Sequence, residues 1–192
     1  MLRLSVSEYE ALSKSRGSKI GAKSFKRGLE AMGAVKISHH AQALAQLAKK
    51  PELQKGKQEH YLQVRIFDYF ERKHPDIYEA MCAYPAGGMR NKKVGAEMKA
   101  EGQVSGYPDI IIDLARGDYH GARVEVKTEV GTLQATQKTK LFTLSEQGYY
   151  CTARKGFDDA VAAILAYARL GEGETLEHGQ FDEKWLNYQS DK

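Results

Sequence analysis

Asp109, Glu125 and Lys127 are the residues whose types and spacing can do chemistry in this chain. Asp109 follows Gly106-Tyr107-Pro108 and opens the run Ile110-Ile111-Ile112-Asp113-Leu114, while Glu125 and Lys127 flank Val126 in Arg123-Val124-Glu125-Val126-Lys127. Both runs read as strands, and the cluster Arg116-Gly117-Asp118-Tyr119-His120-Gly121 between them reads as a turn. A hairpin centred near Gly117-Asp118 sets Asp109 opposite the Glu125/Lys127 end. Side chains two apart on a strand share a face, so Glu125 and Lys127 point the same way. Two carboxylates and one ammonium at a sheet end can hold a divalent metal through hard oxygen ligands, with the lysine beside an attacking water. A plainer reading competes: Lys127 pairs with Glu125 or Asp109 on a solvated sheet face, and Pro108 merely opens a strand. The order of the two motifs and the hairpin between them favour the site. Asp113 and Arg123, nearer the turn, read as a cross-strand ion pair.

Three further elements must position these groups. Gly56 to Lys73 is expected to be a helix, with Leu62, Ile66, Tyr69 and Phe70 tracing a stripe at helical spacing. Glu59 belongs to the same stripe, and a carboxylate on an inward face asks for a metal, a lysine or a hydrogen-bond donor. In the first turn it also complements the helix dipole. Leu133 to Gln147 reads as a second helix ended by Gly148, with Gln137, Leu141 and Leu144 on one stripe. Gln137 is thereby an inward amide able to orient a water, reach a phosphate or bond to nearby backbone. Residues 84–103 read as a turn and a short helix edged by Val94 and Met98. Arg90, Lys92 and Lys93 gather at its N-terminal end, where free backbone N–H groups and basic side chains make either a phosphate cradle or a solvated basic turn.

The remaining chain supplies a frame and two appendages. Ser38 caps a helix over His39–Lys50 that Pro51 ends; Tyr149–Arg154 is a further strand, and Phe157, Val161, Ile164, Leu165 and Ala168 mark a last core helix stopped at Gly171. The net charge of +4 over 192 residues conceals an uneven distribution. Residues 14–58 hold eleven Lys/Arg against Glu30 and Glu52, whereas residues 59–192 hold 17 basic and 21 acidic residues. A basic arm of this kind suits a polyanion, or serves as a solubilising linker. The tail from Glu172 carries six acidic and two basic residues with Trp185 and Tyr188; it either docks on the arm or packs at a subunit interface. Cys82 and Cys151 match no metal spacing and read as small core thiols of a reduced, intracellular protein. No leader is visible at Met1-Leu2-Arg3-Leu4, and the longest apolar run, Ala160 to Leu165, is too short to span a bilayer.

The order of elements, a helix with Glu59, a Gly-x-Pro-Asp strand, a Glu-x-Lys strand, a helix with Gln137, a strand and a helix, resembles the VRR-NUC family of the PD-(D/E)xK nucleases over about Lys55 to Leu170. The resemblance implies an α/β fold: a restriction-endonuclease-like core with a mixed central sheet flanked by helices; the basic helical N-terminal extension read from the sequence lies outside the match. It implies hydrolysis of DNA phosphodiesters with Mg²⁺ or Mn²⁺. Asp109 and Glu125 match the metal ligands, aided by the Val126 carbonyl, and Lys127 matches the catalytic lysine. Glu59 corresponds to the helical acid and Gln137 to the glutamine that follows. Arg90, Lys92, Lys93 and Lys99 are then the expected DNA contacts. Residues 1–54 form a basic arm, 55–170 the nuclease domain and 171–192 an acidic tail. Stand-alone members of the family are carried by phages and bacteria, and some are dimers acting on four-way junctions. The expectation is therefore a structure-selective endonuclease of replication and repair in the bacterial cytoplasm, with a homodimer as its expected assembly. A flap or single-strand nuclease, and a DNA-binding accessory protein without chemistry, are the alternatives.

Overall fold

The computed structural model describes residues 37–84 and 92–187, with only the backbone of Lys92 and Lys93. The chain divides into two compact units, Met1–Pro75 and Asp76–Lys192. In the first unit, α1 (His39–Lys49) begins where the Ser38 hydroxyl accepts the Ala41 N–H at 3.1 Å. That cap satisfies one of the donors a helix start leaves open. A single 3-10 turn, Pro51–Gln54, leads to α2 (Gln58–Lys73). Tyr61, Leu62, Ile66, Phe67 and Phe70 are buried along α2, the inward stripe that its spacing predicts. Asp68 is also buried there, and Arg72 one turn later holds it at 2.7 Å. The His40 ring of α1 stacks on Phe67 of α2 at 5.6 Å between centroids.

The second unit is built on one four-stranded sheet in the order β1 (Met81–Ala83), β2 (Ile110–Ile112), β3 (Ala122–Lys127) and β4 (Tyr150–Lys155). The first three strands run antiparallel and β4 runs parallel to β3. A short helix, α3 (Pro75–Glu79), precedes β1, and α4 (Lys92–Ala100) lies between β1 and β2. The parallel step is made by a crossover helix, α5 (Ala135–Ser145), and α6 (Gly156–Ala168) follows β4. This is the mixed sheet with flanking helices that the element order implies. All six residues of β3 are buried, as a central strand covered on both faces must be.

Each helix has its own face of the sheet. Arg123 pairs with Cys151 and Glu125 with Ala153, so these four side chains point to one side. On that side Cys151 and Ala153 pack with Leu133, Leu141 of α5 and Trp185 of α7 (Glu183–Leu186). On the other side the Tyr150 ring lies flat on Tyr167 of α6, 5.5 Å between centroids and 8° apart in plane. Glu125 therefore faces the α5 layer.

The tail packs on the sheet of its own unit. Residues 179–186 close over the free edge of β4. Asp182, fully buried, accepts the Ala153 N–H at 2.6 Å, the Thr152 hydroxyl at 2.7 Å, the Trp185 indole N–H at 2.8 Å and the Gly179 N–H at 3.0 Å. An edge strand leaves N–H groups unpaired, and the side chain of Asp182 takes one of them. Cys82 is also not the core thiol expected: it is exposed on edge strand β1, whereas Cys151 on β4 is buried. The strand Met81–Ala83 has no periodic signal of its own, being only three residues long. Among the described residues no helix is long and apolar enough to cross a membrane.

Burial works against the Asp182 charge, but the donors from His178, Ala153, Trp185 and Thr152 outweigh it and hold the carboxyl below its ordinary 3.8. A depressed acid contributes stability above its unfolded value and loses it as pH falls through the folded one. Urea unfolding followed from pH 6 down to pH 2 should therefore show a steeper stability loss in the wild type than in Asp182→Asn. At pH 6 that variant should be about 3 kcal/mol less stable, because the amide keeps one neutral acceptor oxygen and sets an NH2 against the donors that the other oxygen served.

Candidate active site

The hairpin closes as its turn chemistry predicts. Ile110 pairs with Val124 and Ile112 with Ala122, which sets Asp109 beside Glu125 at the open end of the β2–β3 pair. There the ladder stops, and the Asp109 carboxylate replaces the missing backbone acceptor: its Oδ2 takes the Val126 N–H at 3.0 Å. Lys127 and Glu125, two apart on β3, point together, with Lys127 Nζ 2.6 Å from Glu125 Oε1. At the other end of the hairpin Arg123 meets Asp113 at 3.3 Å, the cross-strand pair expected, and its guanidinium lies 4.1 Å over the Tyr149 ring.

Glu125 has no solvent exposure at all. Burial pushes its carboxyl up to about 8, and the neighbouring Asp109 charge adds to the rise, while Lys127 opposes both. Oε1 is shared by two donors, the Lys127 ammonium and the Gln137 amide Nε2. Oε2 is buried without a hydrogen-bond donor. The cost of an uncompensated buried acceptor next to a second carboxylate is several kcal/mol, roughly, unless a proton or a cation shares it. Two carboxylates and neighbouring backbone oxygen are the donor set that a small hard divalent ion prefers, so these residues fit Mg²⁺ or Mn²⁺. Among the described residues, no group of three or more His, Cys, Asp and Glu side chains gathers into a metal cluster.

Gln137 is reached by a different route. It is the third residue of α5, and its Oε1 accepts the Gln134 N–H at 2.9 Å, closing the first turn of the helix. Its Nε2 donates to Glu125. Of the expected alternatives, the backbone bond is present and the other end of the amide goes to Glu125. Gly106, at φ +78°, brings the Gly-Tyr-Pro-Asp segment against this same turn: a Cβ there would lie 2.5 Å from the carbonyl carbon and oxygen of Thr136 and 2.8 Å from the Gln137 nitrogen. One glycine thus lets the segment carrying Asp109 touch the helix that carries Gln137.

None of the other expected residues is on β2, β3 or α5. Glu59 sits in the first turn of α2, in the other unit, and is exposed, so the inward placement inferred from its stripe is not observed. The stripe's angular position is right, but the buried part of α2 starts at Tyr61, beyond the first turn. Arg90 lies outside the described residues; Lys92 and Lys93 form the start of α4 in backbone only. Lys99 is exposed in the last turn of α4, and Val94, expected on an apolar edge, is 39% exposed. Lys155, which pairs with Lys127 in the parallel register, escaped the sequence reading because only strand pairing brings it here.

A mixed sheet with an acid ending one strand, and Glu-x-Lys ending its antiparallel neighbour, defines the class of the PD-(D/E)xK nucleases. A solved structure described as a VRR_NUC domain protein superimposes with a TM-score of 0.53 at 30% sequence identity, over 59% of this chain and 90% of that one. This chain belongs to the VRR_NUC domain family. No family model matches the sequence, and no curated protein sequence matches it.

Gly106→Ala should lower stability by about 2–4 kcal/mol in denaturant unfolding, from the left-handed backbone and the overlap with Thr136 together. A change below about 0.5 kcal/mol would mean that the contact with α5 yields easily.

Proposed function

We propose that this protein is a metal-dependent DNA endonuclease selective for branched DNA, of the Holliday-junction type, acting in phage or bacterial replication and repair. The observation that supports it most is the fully buried Glu125, whose Oε2 lacks a donor while Asp109 stands beside it. On this reading Asp109, Glu125 and the Val126 carbonyl hold Mg²⁺ or Mn²⁺. The ion supplies Lewis-acid polarisation of the scissile phosphate and a lowered pKa for the attacking water.

The chain's own groups do the rest. Lys127 is held against Glu125 at 2.6 Å, where its ammonium orients the water and offsets the charge that builds on the phosphate during in-line attack. Gln137 donates to the same Glu125 oxygen as Lys127, so its part is to aim a ligand rather than to touch water or phosphate. Glu59 is left out of this set, because its exposure removes the burial argument that pointed to it. The basic residues 14–58 and the α4 lysines, Lys92, Lys93 and Lys99, supply salt-dependent phosphate contacts, with Arg90 beside them in sequence. A homodimer would set two such sites on opposite strands, as symmetric incision of a junction requires.

The test is cleavage of a substrate panel (four-way junction, flap, single strand and duplex) with Mg²⁺, with Mn²⁺ and with EDTA. Wild type should cut the junction only with metal, and Asp109→Ala and Lys127→Ala should each lose about 100-fold or more in rate. Salt-sensitive binding with no product under any metal would instead identify a DNA-binding accessory protein. Preferential cutting of the flap or single strand would replace the junction preference, and a strict monomer in light scattering would remove the paired-incision reading.

A further inference from the structure

The loop that leaves Lys127, residues 128–134, is held at three points. The Gly131 N–H donates to Thr128 O at 2.9 Å, folding the loop back on the strand end. A Cβ on Gly131 would stand 3.0 Å from Lys127 Cβ and 3.2 Å from Lys127 Cδ, so the glycine backbone lies against the stem of the lysine. Lys155, the register partner of Lys127, donates its Nζ to Glu129 O at 2.7 Å. The same ammonium sits 4.8 Å over the Phe181 ring. At the far end of the loop, Leu133 is buried in the cluster formed by Leu141, Cys151, Ala153 and Trp185, with Phe181 packed on its margin. Phe181 and Trp185 flank Asp182, whose four accepted hydrogen bonds lock the segment onto β4.

We propose that residues 179–186 are a clamp for the active-site loop, with Lys155 as the positioning residue that transmits it: Phe181 seats Lys155, Lys155 fixes the Glu129 carbonyl, and the loop thereby presses Lys127 toward Glu125. This rests on the reading of Lys127 as the catalytic lysine. The physical logic is a short chain of contacts between a rigid anchor and a flexible side chain. A lysine stem has four rotatable bonds and is aimed only if its surroundings exclude the other rotamers. Gly131 supplies the wall, and Lys155 holds the wall in place. A cation shared between a carbonyl and an aromatic face is directional, so the neutral isostere cannot reproduce it.

Two variants test the clamp, Lys155→Met, which keeps the stem but removes the charge, and Phe181→Leu, which removes the seat. Three readouts are compared with wild type: hydrogen exchange of amides 128–133, the acylation rate of Lys127 by an amine-reactive reagent, and the kcat and KM of junction cleavage. Exchange of the α6 amides 160–164 serves as the folding control. The clamp predicts that loop exchange and Lys127 acylation each rise about fivefold in both variants, with α6 unchanged. It predicts that kcat falls about tenfold with KM unaltered, because a displaced catalytic group affects the transition state. Unchanged loop exchange and acylation would overturn it, as would a loosened loop with normal kcat. A loss confined to KM would make Lys155 a DNA contact instead. If loss of α6 protection shows that one variant has unfolded, the other decides. If the wild type cuts no DNA, the nuclease reading falls alone, while exchange and acylation still decide whether the clamp holds the loop.

Discussion

A carboxylate with no access to water sits at the open end of the β2–β3 pair, and the surrounding structure is arranged to tolerate it. Glu125 lies on β3, an inner strand buried along its whole length, where any charge is expensive, and burial lifts its carboxyl to about 8. Two donors on one oxygen and none on the other is an asymmetric arrangement. A purely structural buried acid is normally satisfied on both oxygens, as Asp182 is within the same unit. The contrast between these two acids carries information. Asp182, surrounded by donors, is held below its ordinary range and acts as a rivet; Glu125, half-supplied and facing Asp109, is held above it.

That difference explains why the neighbouring elements are built with so little slack. β2 begins at Ile110, and Asp109 just before it accepts the Tyr84 N–H with its carbonyl and the Val126 N–H with its side chain. Gly106 removes the one Cβ that would separate this segment from the first turn of α5. Gln137 spends one end of its amide on capping that turn and the other on Glu125, coupling helix position to carboxylate position. Moving any of the three elements relative to the others changes the distance between the two acids.

The site was legible in the sequence to the extent that it depends on local rules. The period of two along β3 puts Glu125 and Lys127 on one face, and the turn cluster between the strands is enough to bring Asp109 alongside. Helical periodicity was less informative for Glu59. A stripe gives the angle of a residue around the helix axis, but not whether its turn lies within the core or beyond its end. The stripe on α5 marks Gln137 as inward-facing, yet the partner of its amide depends on the crossover geometry of β3, α5 and β4. The strand Met81–Ala83 is too short to have a period, and Cys82 on it was assigned to the core from residue type alone.

The tail shows the same limit from the opposite side. Its composition is acidic and polar, which suits docking on the basic arm or packing at a subunit interface, but composition averages over residues that behave differently. Trp185 and Asp182 are fully buried, whereas Glu183 and Lys184 between them remain exposed. A tryptophan with an indole N–H can be buried where an acceptor awaits it, and the carboxylate three residues earlier is that acceptor. The pair makes one self-satisfied unit that needs only an apolar slot and an unpaired strand edge, both of which β4 offers. The negative charge of Asp182 is therefore what allows this segment to join the core, since a neutral side chain at residue 182 would leave the β4 edge and the indole competing for a single weaker acceptor.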